Sequence, residues 1–191
     1  MKVLLILPFL FAFLYSPAQR QHELFRGGML LHTGFVKNQQ EFPAIDGLVS
    51  GIGGKITFRT GPHIRIGTEG YVSNFGYKGN DGQFKLGWGG LLTEYQFNDN
   101  RLVPVVGVTF GGGKVHDLYL LSGDFQDNTK DEAIYKVYSS FIVTPHFSLE
   151  MRMSDHINLV GKVDYVFYPG IDYSSYVAKG PRVYFGVLFM R

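Results

Sequence analysis

The chain is predicted to be all-β: an eight-stranded antiparallel up-and-down transmembrane β-barrel. Three observations predict this. Apolar and polar residues alternate with a period of two in most of eight successive stretches, which sends neighbouring side chains to opposite faces of a sheet. The links between those stretches alternate short and long. An export leader precedes them, and no later apolar run approaches the roughly 20 residues that a spanning helix needs.

The leader is residues 1–18. Lys2 supplies the positive start, residues 3–15 carry no charge, and Ser16 and Ala18 suit a cut after Ala18. This is the pattern of a secretory signal peptide. Residues 19–26 are expected to be a short periplasmic segment, and residues 27–191 the barrel domain. There is no cysteine, so a lipid-anchored cysteine, a disulfide framework and a thiolate metal site are all excluded.

The strands are expected at 27–36, 50–60, 64–77, 83–97, 101–121, 135–153, 157–168 and 182–190. The fifth is expected to bend at Gly111, Gly112 and Gly113. Three links are tight and rich in turn formers: Gly61-Pro62-His63, Asn98-Asp99-Asn100 and Ser154-Asp155-His156. The other four are longer: 37–49, 78–82, 122–134 and 169–181. Short turns on one rim and long loops on the other are the arrangement of outer-membrane barrels. An even strand count leaves both termini on the short-turn, periplasmic side. The fifth and sixth strands are longer than the about 9–11 residues that a tilted strand needs to cross a bilayer, so they should project. Their tip is acidic, with Asp124, Asp127, Asp131 and Glu132 against Lys130. A solvated loop is its plainer reading; a surface for cations or an extracellular partner is the sharper one.

Phase assigns the faces. On the seventh strand Ile157, Leu159, Val163, Tyr165 and Phe167 oppose Asn158, Lys162, Asp164 and Tyr168. On the sixth, Phe141, Val143, Phe147, Leu149 and Met151 oppose Ser140, Thr144, His146, Ser148, Glu150 and Arg152. The fifth is apolar on both faces near 103–108, so its phase stays open. The polar face mixes signs: Lys55, Arg59, Arg65, Arg152, Lys162 and Arg182 against Glu69, Glu94, Glu150 and Asp164. An eight-stranded barrel has room inside only for side chains, so these ten residues are expected to form a structural charge network in the lumen. A secreted lipocalin-like barrel has the same period with its faces exchanged. Aromatics near strand ends (Phe58, Tyr95, Phe97, Phe147, Phe167), where interfacial girdles sit, favour the lipid-facing version. So does an ending just past the eighth strand, without the trailing helix that lipocalins usually carry.

Composition agrees. Aromatics reach 16% and charged residues only 18%, against about 25% in soluble domains. The formal charge of +2 gives no reason to expect a nucleic-acid partner.

In leader, strand count, loop alternation, charged polar face and final strand (Val183-Tyr184-Phe185-Gly186-Val187-Leu188-Phe189), the chain resembles the small eight-stranded outer-membrane barrels of the OmpA/OmpX type. The likeness covers residues 27–191 and rests on architecture, not on a motif. It departs at the end, where Met190 and Arg191 follow Phe189; many such barrels finish on an aromatic that the assembly machinery recognises. The resemblance implies roles in envelope integrity, adhesion or surface defence.

One constellation could carry chemistry. His146, Ser148 and Glu150 alternate onto one face, and a His-x-Ser strand segment resembles the outer-membrane lipid A deacylases, where a histidine base activates a serine. In those enzymes the site lies on the lipid-facing wall, whereas the phase here sends these residues inward. Lumen lining is therefore the stronger reading. His22, His32, His63, His116 and His156 are scattered without metal-ligand spacing. Gly53-Gly54, Gly89-Gly90 and residues 111–113 are followed by no helix, so they are not phosphate loops.

The expectation is a non-enzymatic, monomeric barrel of the Gram-negative outer membrane, needing no cofactor or metal. It would have a filled, non-conducting lumen despite its porin-like form. Its partners would be outer-membrane lipids, lipopolysaccharide and an extracellular ligand met through its loops. The alternatives are a lipid A-modifying barrel enzyme using His146 and Ser148, and a secreted lipocalin-like barrel.

Overall fold

The computed structural model describes residues 24–37, 46–76, 83–121, 132–169 and 179–191. The leader, the acidic tip at 122–131 and most of the other long links lie outside them. Eight strands follow in chain order: β1 (Phe25–Lys37), β2 (Asp46–Arg59), β3 (Ile64–Gly76), β4 (Gln83–Gln96), β5 (Leu102–Leu121), β6 (Glu132–Arg152), β7 (Ile157–Tyr165) and β8 (Pro181–Met190). Each pairs antiparallel with the next, and β8 pairs with β1, from Arg26 opposite Met190 to Gly34 opposite Arg182, so the barrel is closed. Where each strand is paired on both sides, closure leaves no open strand edge.

Several bounds differ from the sequence reading. β1 starts at Phe25, so Phe25 and Arg26 belong to the wall, not to a preceding segment. Leu24 and Phe25 also donate from their backbone N–H groups to the carbonyl of Arg191. β2 and β6 begin four and three residues earlier than expected, which shortens two long links. β7 ends at Tyr165, although Phe167 still bridges to Val143. Through Gly111, Gly112 and Gly113 the ladder runs unbroken against both β4 and β6, so this stretch contains no bulge.

The tight turns hold by local bonds. Thr60 N–H donates to the Ile64 carbonyl at 3.0 Å, and Met153 N–H donates to the Ile157 carbonyl at 2.9 Å. On the opposite rim β5 and β6 run to 20 and 21 residues and pair along their whole length. β7 accompanies β6 only from His146 to Arg152. The far end of the β5–β6 hairpin therefore rises beyond its β7 neighbour.

Burial inverts the pattern of a soluble domain. Outward positions carry large apolar side chains open to the surroundings, including Phe185 at 67% and Met29 at 64%. An apolar exterior on this scale is far above the few hundred Å² that soluble monomers leave exposed. Inward positions carry the buried charges. The open phase of β5 also resolves: Val103, Val105, Thr109, Val115 and Asp117 point inward, while Val106 and Phe110 point outward. Among the described residues no helix is long and apolar enough to cross a membrane.

Candidate functional site

Among the described residues, buried charged side chains gather in the barrel interior. Six basic groups (Arg26, Lys55, Arg65, Arg152, Lys162, Arg182) and five acidic ones (Glu69, Glu94, Asp117, Glu150, Asp164) are buried there. Strand alternation puts each of them inward, and closure brings opposite walls within side-chain reach.

Near the short-turn end, Lys55 Nζ lies 2.6 Å from Glu94 Oε1 and 3.0 Å from Glu150 Oε1. Arg26 Nη1 donates to Glu150 Oε2 from the other side. His146 Nε2 approaches Glu94 at 3.2 Å, and Arg65 Nε donates to Thr57 Oγ1 at 3.2 Å. Midway along the bore, Lys162 Nζ lies 2.6 Å from Glu69 Oε2, which also accepts from the Tyr71 hydroxyl at 3.3 Å. Thr109 Oγ1 donates to the second Glu69 oxygen at 2.5 Å. Lys162 sits over the Tyr184 and Tyr71 rings at 4.9 and 5.0 Å, a geometry in which a desolvated ammonium gains cation–π attraction. Above this level Arg182 lies over Trp88 at 5.6 Å and donates to Ser73 Oγ at 3.4 Å, while His32 Nε2 approaches the same oxygen at 2.8 Å. An apolar layer containing Val36, Val49, Phe75, Phe84, Leu86 and Val115 packs towards the loop end.

Nine of the ten charged residues singled out in the sequence are buried in this interior. Arg59 is the exception: it sits half-open at the short-turn mouth, where it pairs with Asp99 at 3.3 Å. Sequence reasoning missed Arg26, because the first strand was started two residues too late, Asp117, because the phase of the fifth strand stayed open, and Asp99, because it lies in a turn. Asp99 also accepts from Arg152 at 3.1 Å and from Gln96 at 3.1 Å.

Burial pushes the Asp99 carboxyl up, but the Arg59 and Arg152 guanidiniums outweigh that effect and hold it below its ordinary range. A carboxylate depressed in the folded state adds stability above its unfolded pKa of about 3.9 and loses it as pH falls through the folded value. Asp99→Asn should therefore lower stability at neutral pH by roughly 0.2–1 kcal/mol, the range for a partly exposed pair, read as a modest fall in the urea midpoint. The gap from wild type should close as the buffer is taken below about pH 4. A gap that stays constant across that range would sink this assignment.

The His-x-Ser constellation is not assembled as a catalytic pair. His146 and Ser148 are both buried in the interior, and the His146 ring nitrogen that has a partner faces Glu94. Among the described residues no group of three or more histidines or carboxylates could hold a metal.

No family model matches the chain, and no curated protein matches its sequence. Solved structures do match its fold. Neisserial surface protein A superposes with a TM-score of 0.62 at 12% identity, over 87% of this chain and 97% of its own. Ail, the attachment invasion locus protein of Yersinia pestis, superposes with a TM-score of 0.58 at 10% identity, over 88% of this chain and 99% of its own. Ail in complex with the heparin analogue sucrose octasulfate gives 0.56 at 12% identity, over the same shares. The chain shares the closed, all-antiparallel eight-stranded fold of small outer-membrane barrels.

Proposed function

We propose that this chain is a monomeric, non-enzymatic barrel of the Gram-negative outer membrane, exported by residues 1–18. In this reading its interior is sealed by ion pairs and packed side chains. Its work is then done by the wall and the long-loop rim, as envelope support and as a surface for an extracellular partner. The observation that carries the reading is the inverted burial: apolar side chains around the whole wall and charges within. Such a wall is stable against acyl chains, where every backbone polar group must be satisfied by the protein itself. The fold neighbours include an attachment protein seen with a heparin analogue, which supports a role at the surface.

Fractionation of cells expressing the full chain tests this. The protein should be recovered in the outer membrane and should run with different mobility in heated and unheated gel samples. In planar bilayers it should give no porin-like conductance, because the bore holds Arg26, Lys55, Arg65, Glu69 and Lys162. Recovery as a soluble periplasmic or secreted protein would overturn the membrane reading. Loss of a lipid A acyl chain on expression, abolished by Ser148→Ala, would overturn the non-enzymatic one.

A further inference from the structure

We propose that the outward wall of β3 to β6, at the upper end of the apolar band, is a binding site for a phosphorylated glycolipid of the outer leaflet. The phosphate would be held by Lys85, Lys114 and His116, and an acyl chain would lie on a shelf of glycines below them. This rests on the membrane placement proposed above.

Register brings the cations together. Lys85 on β4 stands opposite Asn74 on β3 and His116 on β5. Lys114 on β5 stands opposite Gly87 on β4 and Ser139 on β6. Lys85 and Lys114 are thus diagonal neighbours, a relation in which residues stand about 7–8 Å apart, within reach of a single phosphate for two long side chains. Both are exposed and on the outward face. His116 Nδ1 lies 2.9 Å from the Tyr135 hydroxyl, which steadies the ring against the wall. Among the described side chains of β3 to β6, no carboxylate shares this outward face.

Height identifies the occupant. At about 3.3 Å per residue and a tilt of about 45°, the rise from Tyr95 to Lys85 is about 23 Å, close to the about 25 Å apolar band of such barrels. Tyr95 marks the short-turn boundary, so Lys85 falls at headgroup level on the loop side. That leaflet of an outer membrane carries phosphorylated glycolipid, and lysines near a membrane surface attract anionic headgroups.

Below the cations the wall is hollowed. Gly87, Gly89, Gly112, Lys114, Ser139 and Phe141 help line an open depression of about 690 Å³. Barrel packing does not require glycine at two of these positions. A Cβ at Gly87 would meet nothing within 4 Å, and one at Gly112 would meet only the Ser140 carbonyl, at 4.0 Å. Glycine weakens a strand, and where internal crowding does not demand it, close approach of a ligand is a physical reason for its presence. A soluble anion would have no use for this shelf, which continues into the apolar band.

Native mass spectrometry of the full chain, folded in detergent and stripped of lipid, tests the site. Bis-phosphorylated lipid A should be retained about tenfold better than the same lipid without its phosphates. Lys85→Gln with Lys114→Gln should abolish that preference. Gly87→Leu with Gly112→Leu, which only adds outward side chains, should weaken retention of both lipids. Heated and unheated gels verify that each variant is folded, and the wild-type preference decides the matter if one is not. Equal retention of the two lipids by the wild type would overturn the proposal. So would a preference that survives the lysine substitutions, or displacement of the lipid by inorganic phosphate or a soluble sulfated saccharide at equal concentration. Failure of the membrane reading itself looks different: the chain would be recovered without detergent.

Discussion

Glu69→Lys is expected to abolish, or nearly abolish, the folded form of the barrel. Glu69 is buried and accepts from Lys162, Thr109 and Tyr71 at once. The reversal removes the counter-charge of a buried ammonium and sets a second cation beside it. Removing one partner of a buried pair costs about 3–5 kcal/mol, and a like charge in its place adds to this. That is a large share of the roughly 5–15 kcal/mol by which a typical domain is stable. The check is the fraction of protein with heat-dependent gel mobility after refolding, together with the urea midpoint. The swap Glu69→Lys with Lys162→Glu should recover part of the loss, because it restores opposite charges at the same two positions. An unchanged gel shift in the single variant would show that the interior pairs contribute nothing to stability.

Gly28→Val should be nearly as severe, for a steric reason. Gly28 lies on β1 opposite Leu188, at the seam where the last strand meets the first. A Cβ built there would fall 2.0 Å from the Val187 carbonyl oxygen and 2.9 Å from the Leu188 Cα. Both are backbone atoms, so no side-chain rotation relieves the clash. The ladder must part, at a cost at or above the upper end of the about 1–3 kcal/mol typical of overpacking. Gly87→Ala, facing open space, is the matched control and should be close to neutral. A Gly28→Val barrel with a wild-type urea midpoint would mean that the β1–β8 register is wrong.

Much of this architecture was readable in the residues. Strand existence and count followed from period-two alternation, which in a two-faced sheet is set by each segment alone. The tight links followed from Gly61-Pro62, Asn98-Asp99-Asn100 and Ser154-Asp155, residue types that favour turns through their own backbone preferences. Strand ends were less legible. Arg26 falls outside the expected wall because the first strand was started at residue 27, whereas β1 begins at Phe25. The phase of β5 was hidden because Val103 to Val108 are apolar on both faces; only the neighbouring strands decide which of them face the bore.

The candidate site divides in the same way. Which charges point inward was legible for nine of the ten residues named, since alternation is a local property, but not for Arg26 or for Asp117 on β5. Which charge meets which was not. In the ladder Lys55 stands directly opposite Glu69, and Arg65 opposite Glu94. Lys55 nevertheless reaches across the bore to Glu94 and Glu150, leaving Glu69 to Lys162, which comes from the far wall. The grouping of Lys85, Lys114 and His116 likewise depends on register between strands, which no single segment contains. Alternation and turn chemistry act within a few residues and so survive in a linear reading. Ion pairing across the bore and clustering on the wall exist only once eight strands have closed at a particular stagger, because closure sets which side chains face each other at bonding distance.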